Sequence, residues 1–223
     1  MQTDGNLITE PKFSVLKQAI QDKVYYTKLF MTDILPKIAQ ISNQPRYGYH
    51  GLTHTTQVAL FGVELSLASG AEPLPVMLAA GLHDCARTHD KDCLMHGPKC
   101  EPIAHTFLDT HYPTLSYQTH QQIVYAVVNH SRNIPAPDAV SACLWDGDRI
   151  RLAWELGYNP NFFATEYGRK IASLTPRGQA QYIARQERFL IQHGIKTRAQ
   201  IDHENVMNAI FCATNTNFKD RVK

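Results

Sequence analysis

The chain has 223 residues, enough for one large domain, and its 43% hydrophobic and 19% charged content is an ordinary globular balance. A net charge of +2 with neutral histidines offers no broad basic field for nucleic acid, and no apolar run approaches the roughly 20 residues of a membrane span. The opening MQTDGNLITEPKF lacks the basic and apolar regions of a signal peptide, so a cytoplasmic location is expected. The five cysteines are odd in number and form no C-x-x-C, which reads as reduced thiols; a zinc site from Cys93 and Cys100 is a loosely spaced alternative. The unusual count is eleven histidines, most of them between His50 and His130.

The periodicity is helical throughout, with strand-like alternation nearly absent. Phe13, Leu16, Ile20 and Val24 make one apolar stripe, and the next helix continues over 29–41, where Pro36 predicts a kink or break. SNQPRYGYHG reads as a loop. Residues 53–69 read as a helix ending at Gly70, and Pro73 and Pro75 open an apolar helix that carries His83-Asp84 near its end. Residues 88–98 read as a polar loop. Helices are then predicted over 102–109, 116–129, 139–156, 176–192 and 197–213. The expected fold class is all-α, one domain without internal repeats.

Histidines and carboxylates recur on these helices. YHGLTHTTQV places His50 and His54 four apart at a helix start, GLHDCAR ends a helix in His83-Asp84, and LWDGDRIRL carries Asp146 and Asp148. Two imidazoles and two carboxylates from several rigid elements suit a divalent transition metal. The bland alternative for each is a helix cap or a polar surface residue. Arg87, Lys99 and Arg149 lie in or beside these segments and are candidates to hold phosphate oxygens, or else solvated charges at helix ends. Tyr47, Tyr49, Trp145, Trp154, Phe162 and Phe163 are core residues or the wall of a base-binding pocket.

The ordered pattern His54, His83-Asp84, Asp148 resembles the HD superfamily of metal-dependent phosphohydrolases over about residues 45–160. The resemblance implies a single HD-type helical bundle: N-terminal helices over 1–44 packing on the core, an HD metal-binding core over 45–160, and C-terminal helices over 161–223 completing the same domain. It implies His54, His83, Asp84 and Asp148 as metal ligands, with Asp146 beside the metal rather than on it. His96, in an HG ahead of a helix, and His130, in IVYAVVNHS, are the candidates for a second ion in dinuclear members. YHGLTH is similar to a segment of cyclic-nucleotide phosphodiesterases whose first histidine is a general acid, which makes His50 a catalytic candidate beside Asp84. The GYP triplet of the cyclic-dinucleotide enzymes is absent from the sequence.

The implied function is hydrolysis of a phosphomonoester or phosphodiester by metal-activated water, on a nucleotide or other small phosphoester. One or two ions of manganese, iron, cobalt, nickel or zinc are expected per chain. Two alternatives belong to other classes: a dinuclear iron oxygenase of the same superfamily, and a non-catalytic sensor binding nucleotide or metal. No nucleic-acid or membrane partner is expected, and a homodimer is left open.

Overall fold

A computed structural model describes residues 10–88 and 95–214. Among the described residues the chain is all helical, without strands. The helices are α1 (Glu10–Leu29), α2 (Leu35–Ile41), α3 (Leu52–Ser69), α4 (Pro73–Leu82), α5 (His96–His111), α6 (Tyr117–Asn129), α7 (Ala139–Leu156), α8 (Glu166–Ala172), α9 (Pro176–Gln192) and α10 (Arg198–Thr214). None is long and apolar enough to cross a membrane.

The core sits around α3 and α4. Every residue of α4 from Val76 to Leu82 is buried, because the helix is enclosed by α3, α6 and α7. It lacks a polar face for the same reason: an apolar all-round helix is stable only inside. α3 packs along both α4 and α7, and α5 pairs with α6. Burial of Phe30, Ile34 and Ile38 extends this core to the N-terminal helices.

Three expectations change. At Pro36 the chain does not break. Phe30–Ile34 widens into a π-helical turn, with the Leu35 N–H reaching the Phe30 carbonyl, and α2 follows directly; an extra residue in the turn is one way to relieve the clash between a proline ring and the carbonyl four residues back. The predicted stripe on α1 is not an inward face at Ile20, which is exposed; the side chains of Phe13 and Leu16 lie outside the described residues. The helix expected over 102–109 begins instead at His96. Pro98 falls in its first turn, where a missing N–H leaves nothing unpaired, so Pro102 interrupts an established helix rather than starting one. Cys93 also lies outside the described residues, and Cys100 is buried.

Several helix starts are set by side-chain caps. Ser116, Asp138, Thr165 and Thr175 accept hydrogen bonds from the N–H groups of Thr119, Ser141, Gly168 and Gly178, which satisfies donors the helix leaves open. α3 is capped differently. The loop before it folds back so that Leu52 and Thr53 donate to the carbonyls of Pro45 and Arg46, and this places His50 directly above His54.

Candidate metal centre

Helix ends converge on one point. His54 is in the first turn of α3, His83-Asp84 follows α4, His96 opens α5, and His130 follows α6, while Asp148 comes from the middle of α7. His54, His83, Asp84, His96 and His130 are buried.

The distances divide the cluster into two halves that share Asp84. On one side, His54 Nε2 lies 3.1 Å from Asp148 Oδ1 and 3.3 Å from His83 Nε2, and His83 Nε2 lies 3.5 Å from Asp84 Oδ2. On the other side, Asp84 Oδ1 is 3.4 Å from His96 Nε2 and 3.6 Å from His130 Nε2, and those two nitrogens are 2.7 Å apart. Adjacent helical residues point about 100° apart. His83 and Asp84 reach one cluster because α4 ends there.

The tautomers of two imidazoles follow from their partners. His83 Nδ1 lies 2.7 Å from the Ala80 carbonyl and His130 Nδ1 lies 2.7 Å from the Val127 carbonyl. A carbonyl only accepts, so each Nδ1 donates, and the Nε2 lone pairs face inward when the rings are neutral. Burial pushes His83 down to about 4 against the pull of Asp84 and Asp148, so it is neutral at pH 7. Burial opposes protonation of His130 too, but there the hydrogen bond and charge of Asp84 prevail and raise its pKa. Burial alone would raise Asp84 and Asp148. The surrounding imidazoles outweigh it and hold both carboxyls ionised, Asp84 through His83, His130 and His50, and Asp148 through His54 and His83. Inward lone pairs, two carboxylates and main-chain contacts that orient the imidazoles form a donor set that could hold a metal ion.

One pH effect follows. At neutral pH His83 already presents a lone pair, whereas His130, raised above its ordinary value, retains part of a proton that a metal must displace. Metal binding is expected to release protons and to weaken as pH falls. Calorimetric titration with Mn²⁺ near pH 7 in buffers of different ionisation enthalpy measures this, and equal heats in all buffers would contradict it.

The structure places the other candidates variously. His50 Nδ1 lies 3.2 Å from Asp84 Oδ2, with its side chain 24% exposed at the open edge. Arg87, a candidate to hold phosphate oxygens or else a solvated charge at a helix end, lies against the cluster. It is buried within the cluster, with Nε 3.2 Å from Asp84 Oδ1 and Nη2 3.5 Å from His96 Nε2. Arg149 turns to main-chain carbonyls: it donates to those of Phe162, Arg132 and His130, with its guanidinium 5.7 Å from the centre of the Trp145 ring. It therefore ties the end of α6 to the connection after α7. Lys99 is exposed on α5. Asp146 is buried and accepts from the N–H groups of Ala164 and Thr165 and from the Thr165 hydroxyl, pinning the start of α8. Trp145 is core, donating to the Ala126 carbonyl.

Two supporting links to the HD turn carry no sequence signal. Gln44 Nε2 donates to the Arg87 carbonyl and Asn43 N–H to the Cys85 carbonyl, so the His50 loop is tied to the HD turn. The Cys100 thiol donates to the His83 carbonyl. Both link residues far apart in the chain with nothing in their spacing to announce it.

No family model and no curated protein matches the sequence. Among solved structures the chain is similar to the crystal structure of a predicted HD superfamily hydrolase from an uncultured Thermotogales bacterium, at 20% sequence identity and a TM-score of 0.47, over 77% of this chain and 91% of that one.

Proposed function

We propose that this protein is a metal-dependent phosphohydrolase of the HD superfamily acting on a small phosphoester. His54, His83, Asp84 and Asp148 would hold one ion, and Asp84, His96 and His130 a second. The observation that carries the reading is the placement of Asp84: one carboxylate oxygen faces the first set of imidazoles and the other faces the second. Divalent ions held this way polarise a phosphoryl oxygen and bring the pKa of water toward neutrality.

The chain's own groups supply the rest. Asp84 and Asp148 provide negative charge between the imidazoles. His50, at the open edge and hydrogen-bonded to Asp84 through Nδ1, is positioned to give a proton to the leaving oxygen from its other nitrogen. Arg87 fixes the orientation of Asp84. Cluster burial limits water to the side where His50 and Asp148 are partly open.

The test is metal content by elemental analysis of untagged protein, paired with phosphate release from methyl phosphate. About two ions of manganese, iron, cobalt, nickel or zinc per chain, with metal-dependent release, is the expected result. A protein that takes up no ion when given manganese or nickel overturns the proposal. Bound iron with oxygen uptake and no phosphate release would replace it with the oxygenase reading.

A further inference from the structure

α5 and α6 run antiparallel, and histidines face each other across the pair at two levels. His96 at the start of α5 meets His130 just past α6, inside the cluster described above. Further along α5, and correspondingly further back on α6, His105 meets His120: Nδ1 of the first lies 3.0 Å from Nε2 of the second. At a rise of about 1.5 Å per residue, this second pair sits about 13.5 Å along α5 from His96, so it is no part of the cluster. Behind it stands Asp109, one turn beyond His105 on the same helix, with Oδ1 3.5 Å from His120 Nδ1. Both imidazoles are only partly buried, and the Asp109 side chain is 71% exposed.

We propose that His105 and His120 form a second, separate metal site: a cross-helix pair that takes up a divalent ion of the zinc, copper or nickel class. The proposal does not rest on the hydrolase reading. Three observations carry it. The first is distance. Two nitrogens about 2.05 Å from one ion stand about 2.9–3.4 Å apart at angles of about 90–109°, and this pair is already at 3.0 Å. The second is the placing of protons. A carboxylate only accepts, so His120 Nδ1, facing Asp109, carries the proton, and its Nε2 lone pair turns toward His105. A carboxylate behind a ligating imidazole fixes its tautomer and makes it a stronger donor. Without an ion, His105 Nδ1–H donates to that lone pair. With one, His105 carries its proton on Nε2 instead, and both facing nitrogens become ligands with no net loss of a proton. The third is access. The two imidazoles sit on packed helices, which hold their spacing, yet they are open enough for water to complete the coordination. Imidazole ligands select borderline transition ions over magnesium or calcium, which want oxygen. Two protein ligands hold an ion loosely, so this site fills when the ion is supplied and empties on dialysis. Its role is a clamp: an ion that binds only when α5 lies against α6 stabilises that packing.

The probe is zinc alone, in equilibrium dialysis of untagged, chelator-treated protein at rising zinc concentration, with the melting temperature measured alongside. His105→Gln, His120→Gln and Asp109→Asn are run beside the wild type, with helix content checked. Glutamine can still hydrogen-bond at these partly open positions but is a poor ligand. The wild type is expected to reach one ion per chain more than either glutamine variant. Its zinc-induced rise in melting temperature should be larger than theirs by at least about 5 °C once zinc is about 100-fold above Kd. Asp109→Asn should keep the ion at about tenfold weaker affinity. Asp84→Asn, which disables the cluster, should keep it unchanged, so a failure of the hydrolase reading leaves this site standing. Equal zinc uptake and equal stabilisation in the wild type and both glutamine variants overturn the proposal and leave the 3.0 Å contact as a hydrogen bond between imidazoles. Loss of the additional ion in Asp84→Asn overturns it too, since the ion would then belong to the cluster.

Discussion

Asp84→Asn is expected to abolish metal-dependent hydrolysis, with a loss on the order of 10³-fold or more, while the protein stays helical. Asp84 is the one residue whose two oxygens serve both halves of the cluster. Asparagine keeps the shape but replaces one acceptor oxygen with an N–H donor and removes the charge. The amide then turns a hydrogen toward imidazoles that already present lone pairs, so one half of the site loses its carboxylate ligand and both lose its charge. An ion contributes several kcal/mol to stabilising charge at a phosphoryl group, and each 1.36 kcal/mol is a factor of ten in rate. The same variant should retain fewer ions per chain after dialysis. Steady-state kinetics, elemental analysis and circular dichroism together check this. Full turnover with unchanged metal content would mean that the cluster is not the reaction centre.

Gly97→Ala is expected to lower stability by about 2–3 kcal/mol and to weaken the half of the site built by His96 and His130. The glycine lies where α5 packs tightly on α6: a Cβ there would collide with the Val128 carbonyl oxygen. His96 precedes it on α5 and His130 follows just after Val128 on α6, with their Nε2 atoms 2.7 Å apart. The backbone that must give way is therefore the backbone that sets this distance. For a chain of this size the melting temperature should drop by roughly 5–10 °C. Metal content should fall toward one ion, the half held by His54, His83 and Asp148 being built on other helices. Gly178→Ala, where the added Cβ meets only the Leu174 and Thr175 side chains, provides the comparison. An unchanged melting temperature together with two retained ions would show that α5 and α6 can separate without cost.

Helix existence was legible in two ways: α6 shows its buried face by periodicity, and α4 shows by its lack of a polar face that it lies inside. The start of α5 was hidden by Gly97, Pro98 and Pro102, which look like punctuation in sequence. There the glycine serves close packing and Pro98 occupies a first turn that tolerates it. Exposure of Ile20 shows the opposite failure: apolar spacing on α1 does not say whether a partner helix covers that length. The convergence of His54, His83, Asp84, His96, His130 and Asp148 could be anticipated only because their order along the chain resembles the HD pattern. The directions of Arg87 and Arg149 could not. A guanidinium next to a motif reads as a phosphate holder; the structure sets Arg87 against Asp84 and Arg149 against three main-chain carbonyls. Those partners come from other helices, and local sequence does not contain them.

The contacts from His83 to the Ala80 carbonyl and from His130 to the Val127 carbonyl have a consequence for how the protein matures. Each imidazole donates to a carbonyl in the last turn of the helix it follows, so ring orientation is set by where α4 and α6 end. These rings need no ion to direct them. In small zinc domains the ion and the fold arrive together; here the core is an apolar α4 enclosed by other helices, and on the proposed reading an ion would load afterwards. Stripping the ions should therefore yield a folded protein that can be recharged, and the ion it carries in a cell would be decided by what is available at that later moment rather than during folding.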